Sequence, residues 1–269
     1  MNAVHSWREA PVAEFAVIGD PVGHSLSPRM HSAAYNALGL PYRYVAVLVP
    51  AGEVSAALSH LASLRYQGVN VTVPHKAEAL AWAKTIEPLA ARVRAANTLR
   101  LADRACINTD SPGFIDTLAD FRPVRRVALL LGAGGSARAL AIGLVGAGYD
   151  LRLYNRTFAK AGALAADLEL SGTQILREAD PGGASLIVNT TSASLANEEI
   201  PVLWQRAEPG ALAYDLMYAE GPTAFLRSAA LHGLDTMDGR QMLVAQGARS
   251  FEWWLGIPAP RDVMLQAIQ

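Results

Sequence analysis

Short apolar, β-rich runs alternate with stretches whose apolar positions recur every three to four residues along nearly the whole chain. This alternation predicts βαβ units around a buried, mostly parallel sheet, and so an α/β fold. Strands are expected at 14–19, 42–49 and 68–73, with helices at 28–38 and 52–64 between them. Pro74 stops the third strand and suits a first helical turn, where its missing N–H has no intrahelical partner, so Lys76 falls near a helix N-terminus. A short helix at 88–94, strands at 97–101 and 105–108 about a polar turn, and a helix at 112–119 follow.

The charged, proline-containing link Phe121-Arg122-Pro123 separates this block from a second one with strands at 126–131, 151–155, 185–190 and 211–215. The stretch from 239 to 255 and onward is helical and is expected to pack back onto the first block. Two α/β domains result, 1–121 completed by helices at about 239–269, and 122–238. A chain of 269 residues suits two cores better than one. Two domains imply a cleft, and closure over bound molecules is expected.

Hydrophobic residues make up 51% of the chain, charged residues 17%, and the net charge is -1. The balance is that of a globular protein and argues against nucleic-acid or anionic-membrane partners. The apolar run 127–145 is interrupted by glycines and Arg138, unlike a membrane span of about 20 residues. The single cysteine, Cys106, has no internal disulfide partner, and the N-terminus lacks a secretory pattern, so a reducing cytoplasm is expected. His24, His31 and His75 form no metal-ligand spacing, and no metal is expected.

The apolar run 127–131 leads directly into Gly132-Ala133-Gly134-Gly135-Ser136-Ala137 and a helix. Gly132, Gly134 and Ala137 fit the spacing G-x-G-x-x-G/A. The first allows a tight turn, the second lets backbone approach a pyrophosphate, and the small third residue allows close helix–strand packing. Phosphate would sit on the exposed helix N–H groups. An NAD site usually offers a carboxylate about 20 positions on, where this chain has Asn155-Arg156-Thr157. Arg156 can pair with a 2′-phosphate, assisted by Thr157 and Lys160, which favours NADP.

Several separate blocks are more specific than any glycine turn. They are 18–28 (IGDPVGHSLSP), 68–76 (GVNVTVPHK), 96–99 (ANTL), 108–110 (NTD), the glycine turn, 155–157 (NRT), 214–218 (YDLMY), and 238–239 (DG) with 242–246 (MLVAQ). In this order they resemble the shikimate dehydrogenase family over nearly the whole length. The resemblance implies an N-terminal substrate-binding domain, a Rossmann-type NADP-binding domain, and reversible NADPH-dependent reduction of 3-dehydroshikimate in chorismate and aromatic amino-acid biosynthesis. It implies that Ser25 and Ser27 hold the substrate carboxylate, and that Thr72, Asn97, Asp110 and Gln246 contact ring hydroxyls beside Lys76. Tyr218 matches a position that reaches the substrate, and Leu216 and Gly239 match positions near the nicotinamide. A monomer or homodimer acting on small molecules is expected.

The residues make independent chemical sense. In an extended segment residues two apart face one side, so Ser25 and Ser27 can aim at one carboxylate, although Ser-x-Ser before proline also serves as a helix cap. Asn70 and Thr72 share one strand face and, as polar residues in an apolar strand, are expected to line a cleft. Lys76 and Asp110 are the expected proton-transfer pair, because hydride addition to a ketone leaves negative charge on oxygen that a positioned donor must quench. Three departures stand out: Ser32 where asparagine is usual, Cys106-Ile107 where glycine is common, and Ser194 in place of glycine in 189–194. The last puts cofactor affinity in question. The rival readings are a quinate or quinate/shikimate dehydrogenase, and a catalytically silent dinucleotide-binding regulator on the same scaffold.

Overall fold

The computed structural model describes residues 3–196 and 198–269. In chain order the first elements are β1 (Val4–Ser6), β2 (Phe15–Gly19), α1 (Ser27–Ala37), β3 (Tyr44–Leu48), α2 (Val54–Ser63), β4 (Gly68–Val71) and α3 (Lys76–Trp82). There follow β5 (Thr85–Ile86), α4 (Pro88–Val93), β6 (Thr98–Arg100), β7 (Ala105–Ile107) and α5 (Asp110–Thr117). Next come β8 (Val127–Leu131), α6 (Gly135–Gly146), β9 (Asp150–Tyr154), α7 (Phe158–Asp167), β10 (Gln174–Leu176), β11 (Leu186–Asn189), β12 (Leu212–Asp215), α8 (Ala224–Leu231) and β13 (Asp235–Met237). The chain ends in α9 (Gly239–Leu255) and α10 (Arg261–Gln266).

Two compact units form, Met1–Gly113 with Leu243–Gln269, and Phe114–Met242. The crossings fall within α5 and α9, not at the 121–123 link where composition changes. Charge and proline mark a surface connector there, whereas the division follows which side chains share a core. The helix expected at 112–119 begins two residues earlier because Asn108 Oδ1 accepts the Asp110 and Ser111 N–H groups at 3.1 and 3.2 Å, the capping device of a helix start.

In the first unit the sheet order is β1-β3-β2-β4-β6-β7-β5. The β1, β2, β3 and β4 pairings are parallel, while β6 runs antiparallel to β4 and β7. Alternate residues of β2 feed opposite faces. Ala16 and Ile18 join Val47, Leu58, Leu61 and Val69, while Phe15 and Val17 join Met30, Tyr35, Val244, Phe251 and Met264. Burial on both faces explains the unbroken apolar run at 15–19. Each large side chain so buried contributes roughly 1.5–3 kcal/mol. The C-terminal helices thus complete this unit's core. Cys106 packs within it, and burial pushes its thiol up to about 11, so it remains protonated and inert.

The second sheet is parallel throughout, in the order β10-β9-β8-β11-β12-β13. Leu129 and Leu131 pack with Ile187, Ala213, Phe225 and Leu226 on one face. Among the described residues no helix is long and apolar enough to cross a membrane.

His31 sits fully buried on α1, stacked on Tyr44 at 4.4 Å, and neither ring nitrogen has a partner among the described residues. Burial lowers its pKa to about 3. The folded protein therefore binds this proton less readily than the unfolded chain, and the stabilisation present above pH 6.5 is lost as pH falls toward 3. Between about pH 7 and about pH 5 this site should cost about 2 kcal/mol. Urea unfolding at both values should show that difference shrinking by this amount in His31→Asn, and an unchanged difference would remove His31 as the cause.

Candidate active site

In the first sheet the chain passes from β2 to β3 on one side and then to β4 on the other. A crevice at such a reversal lies beyond the carboxyl ends of the central strands, here β2 and β4. The loops that leave those two ends carry Ser25 and Ser27, and Thr72 and Lys76. They are tied together by the Asp20 N–H donating to Val73 O at 3.1 Å.

The two serines do not sit on an extended segment as expected. Leu26 has helical backbone angles (φ −85°, ψ −3°). The Ser25 hydroxyl accepts the Ser27 N–H at 3.3 Å, so a turn into α1 brings the pair together. Pro74 also differs from expectation: it lies in the turn before α3, joined to Val73 by a cis bond, and His75 is the residue flanking the helix. The His75 Nε2 pairs with Val49 O at 2.6 Å, fastening the start of α3 to the end of β3. Lys76 is then the first helical residue.

The Lys76 Nζ donates to Asp110 Oδ2 at 2.6 Å, with side chains 14% and 7% exposed. Asp110 occupies the first turn of α5, where a helix N-terminus favours a carboxylate. Its other oxygen accepts the Asn97 Nδ2 at 2.8 Å. The Asn97 orientation is fixed, because Oδ1 accepts the Thr109 backbone N–H at 2.7 Å, a group that can only donate. The Nδ2 also approaches Thr109 Oγ1 at 2.9 Å and Gln246 Oε1 at 3.3 Å. Lys76, Asp110, Asn97 and Gln246, drawn from four places in the sequence, therefore form one hydrogen-bonded group within this unit.

Asn70 requires a correction, since it lines no cleft. Its Oδ1 accepts the Tyr44 hydroxyl at 2.7 Å, and its Nδ2 donates to Ser250 Oγ, Thr98 Oγ1 and Asn97 O at 3.0 to 3.2 Å. A buried asparagine satisfied on both ends is a strut beneath Asn97. Ser250, Thr98 and Thr109 belong to the same buried network. Sequence reasoning missed them, and only the fourfold spacing from Gln246 to Ser250 on one helix hinted at the first.

In the second unit the chain leaves β8 toward β9 and β10, then returns on the other side through β11, β12 and β13, so the crevice lies beyond β8 and β11. Gly132 turns the chain there with φ +117°, a conformation open to glycine. Gly134 flanks α6 and Gly135 begins it, with no side-chain cap on the helix. A Cβ at either glycine would meet nothing within 4 Å. The first N–H groups of α6, including those of Ser136 and Ala137, thus face open space that suits a pyrophosphate. Ala137 is fully buried.

Asn155, at the end of β9, donates to Thr157 O at 2.9 Å. Arg156 and Lys160 are exposed beside the first turn of α7. The 3.9 Å approach of Arg156 to exposed Glu198 is worth little in water. Arg177, missed in the sequence, stacks over Phe158 at 4.5 Å and adds a third cation to this edge. Leu216 and Tyr218 lie on the loop after β12. A Cβ on Gly239 would overlap Leu216 O, so the start of α9 packs directly on that loop.

An amine–carboxylate pair within a polar network on one α/β unit, and an open glycine turn at the start of α6 on the other, define a pyridine-nucleotide-dependent oxidoreductase. Residues 17–99 match the family model described as shikimate dehydrogenase substrate binding domain, and 239–269 match the shikimate 5′-dehydrogenase C-terminal domain. The chain belongs to the shikimate dehydrogenase family. The shikimate dehydrogenase (NADP(+)) of Moorella thermoacetica is 41% identical over 93% of this chain and 90% of the relative. A crystal structure of the Thermus thermophilus shikimate 5-dehydrogenase in complex with NADP(H) and shikimate has a TM-score of 0.87 at 36% identity, over 94% of this chain and 97% of that one. The ligand-free 5-ketofructose reductase of a Gluconobacter strain has a TM-score of 0.82 at 29% identity, over 94% and 96% of the two chains.

Proposed function

We propose that this chain catalyses the reversible, NADPH-dependent reduction of 3-dehydroshikimate to shikimate, in the biosynthesis of chorismate and the aromatic amino acids. The first unit serves as the substrate-binding domain and the second as the NADP-binding domain. The observation that carries this reading is the 2.6 Å Lys76–Asp110 pair, held by Asn97, between the first residue of α3 and the first turn of α5. When bound, NADPH supplies the hydride. As negative charge develops on the substrate oxygen, Lys76 donates a proton, and in the reverse direction the same amine accepts it. Asp110 holds the amine in place and takes a ring hydroxyl as hydrogen-bond acceptor.

Ser25 and Ser27 receive the substrate carboxylate. Thr72, Asn97 and Gln246 take ring hydroxyls, and Tyr218 is a further substrate contact. Asn70 acts beneath Asn97 as a positioning residue. On the nucleotide side, residues 132–137 hold the pyrophosphate, and Asn155, Arg156, Thr157 and Lys160 hold the adenosine 2′-phosphate. Leu216 and Gly239 border the nicotinamide. The same reading places the enzyme in the cytoplasm as a monomer or homodimer.

Initial rates of NADP reduction test the assignment. Shikimate should exceed quinate in kcat/KM, and NADP should exceed NAD. Arg156→Ala should raise the KM for NADP about tenfold and leave NAD kinetics nearly unchanged, the effect of one lost charge-assisted contact. No turnover of shikimate would remove the assignment, and a preference for quinate or for 5-ketofructose would redirect it.

A further inference from the structure

The loop after β11 forms the wall of the nucleotide crevice opposite the glycine turn. The Thr190 N–H and hydroxyl both donate to Leu131 O, at 2.9 and 2.7 Å, and a Cβ on Gly132 would overlap Thr190 Oγ1. The position of this loop therefore fixes the room above the turn.

A buried polar hub holds the loop. Asn189, the last residue of β11, accepts the Thr191 N–H at 2.9 Å and the Thr191 hydroxyl at 2.8 Å through Oδ1. That turns its Nδ2 toward Asp215 Oδ1 at 2.9 Å and Ser194 Oγ at 3.0 Å. Asp215, the last residue of β12, also accepts the Met217 N–H at 3.0 Å and the Thr223 hydroxyl at 2.6 Å. Thr223 in turn accepts the Leu226 N–H and caps α8. Asn189, Ser194, Asp215 and Thr223 are all buried, so the hub braces both loops from behind and presents no group to the crevice. Burial raises the Asp215 carboxyl above its usual range, against hydrogen bonds from Thr223, Met217 and Asn189. Each donor therefore counts.

We propose that Ser194 is a positioning residue that accepts the Asn189 Nδ2, fastens the β11 loop to this hub and thereby sets the affinity for the nicotinamide dinucleotide, a bond that glycine at this position cannot make. The inference rests on the NADP-binding reading of this crevice. It also gives the departure at residue 194 a physical role, since the hydroxyl supplies the hub with an acceptor for the Asn189 amide.

The test is titration of NADPH into the wild type and into Ser194→Ala, Ser194→Gly and Ser194→Thr, with steady-state kinetics on each. The alanine and glycine variants should raise Kd and KM for NADPH about threefold to tenfold, the effect of one lost buried hydrogen bond between neutral groups. Their kcat and KM for shikimate at saturating nucleotide should stay within about twofold of wild type, and threonine should restore the Kd. Alanine and glycine variants that bind NADPH as tightly as wild type would overturn the proposal, as would a loss confined to kcat. Wild-type protein that binds no NADPH would instead overturn the reading of the crevice itself.

Discussion

Lys76→Ala is expected to lower kcat by about a thousandfold, within the roughly 10²–10⁴ range of a lost general acid–base group. The KM for NADP should change little, because the residues proposed to hold the nucleotide lie on the other unit's glycine turn and β9 edge. The loss follows from proton bookkeeping: hydride addition leaves an alkoxide, and alanine has no proton to give. Asp110 would lose its 2.6 Å counter-charge, so some thermal destabilisation should accompany the kinetic loss. Circular dichroism separates the two, since the folded fraction should remain high at assay temperature. Partial rescue of Lys76→Ala by an added primary amine would identify the missing function as proton transfer. Turnover within about tenfold of wild type would take Lys76 out of that step.

Asn97→Asp should be nearly as damaging while adding no atom. Its Oδ1 keeps the Thr109 N–H at 2.7 Å, so the new oxygen falls where Nδ2 stood, 2.8 Å from Asp110 Oδ1. Two carboxylates at that distance in a buried site repel strongly, and the second is left without a donor. The expected result is a loss of kcat of about a hundredfold or more, with a drop in folding stability of roughly 2–4 kcal/mol at neutral pH. Stability should recover in part as pH falls, because protonating either carboxyl restores a donor. Activity and urea unfolding measured from about pH 5 to about pH 8 provide the check. A flat stability difference across that range would mean that the Asn97 amide does not face Asp110.

The elements that could be read from the chain were those with a strong period. The β2, β3, β4, β8, β11 and β12 runs are buried on both faces and so appear as continuous apolar segments, and the glycine turn after β8 carries its own punctuation. Strands β1, β10 and β13 are three residues long and depend on a neighbouring strand, whereas β6 and β7, equally short, were legible from the polar turn 102–104 between them. The site shows the same division. Lys76 and Asp110 stand 34 residues apart, and no local pattern relates them; the family resemblance supplied the pairing, and the geometry brings the two groups into contact. Asn70 was misplaced because polarity in an apolar strand suggests exposure, whereas Tyr44, Thr98 and Ser250 from three other elements satisfy it internally. Ser194 stood out only as a departure, because the Asn189 amide it holds is oriented in part by Asp215, from a different strand.

The first unit is discontinuous, with Phe15, Met30 and Tyr35 packed against Phe251, Met264 and Ile268. A ribosome reads in one direction, so every contact internal to 114–242 becomes available before that early core can close. The segment begun second is thus the one able to mature first. Until residue 268 emerges, one side of the amino-terminal sheet carries aromatic surface that only the nascent tail can cover, and a stalled or clipped product would expose an adhesive face to the chaperone system.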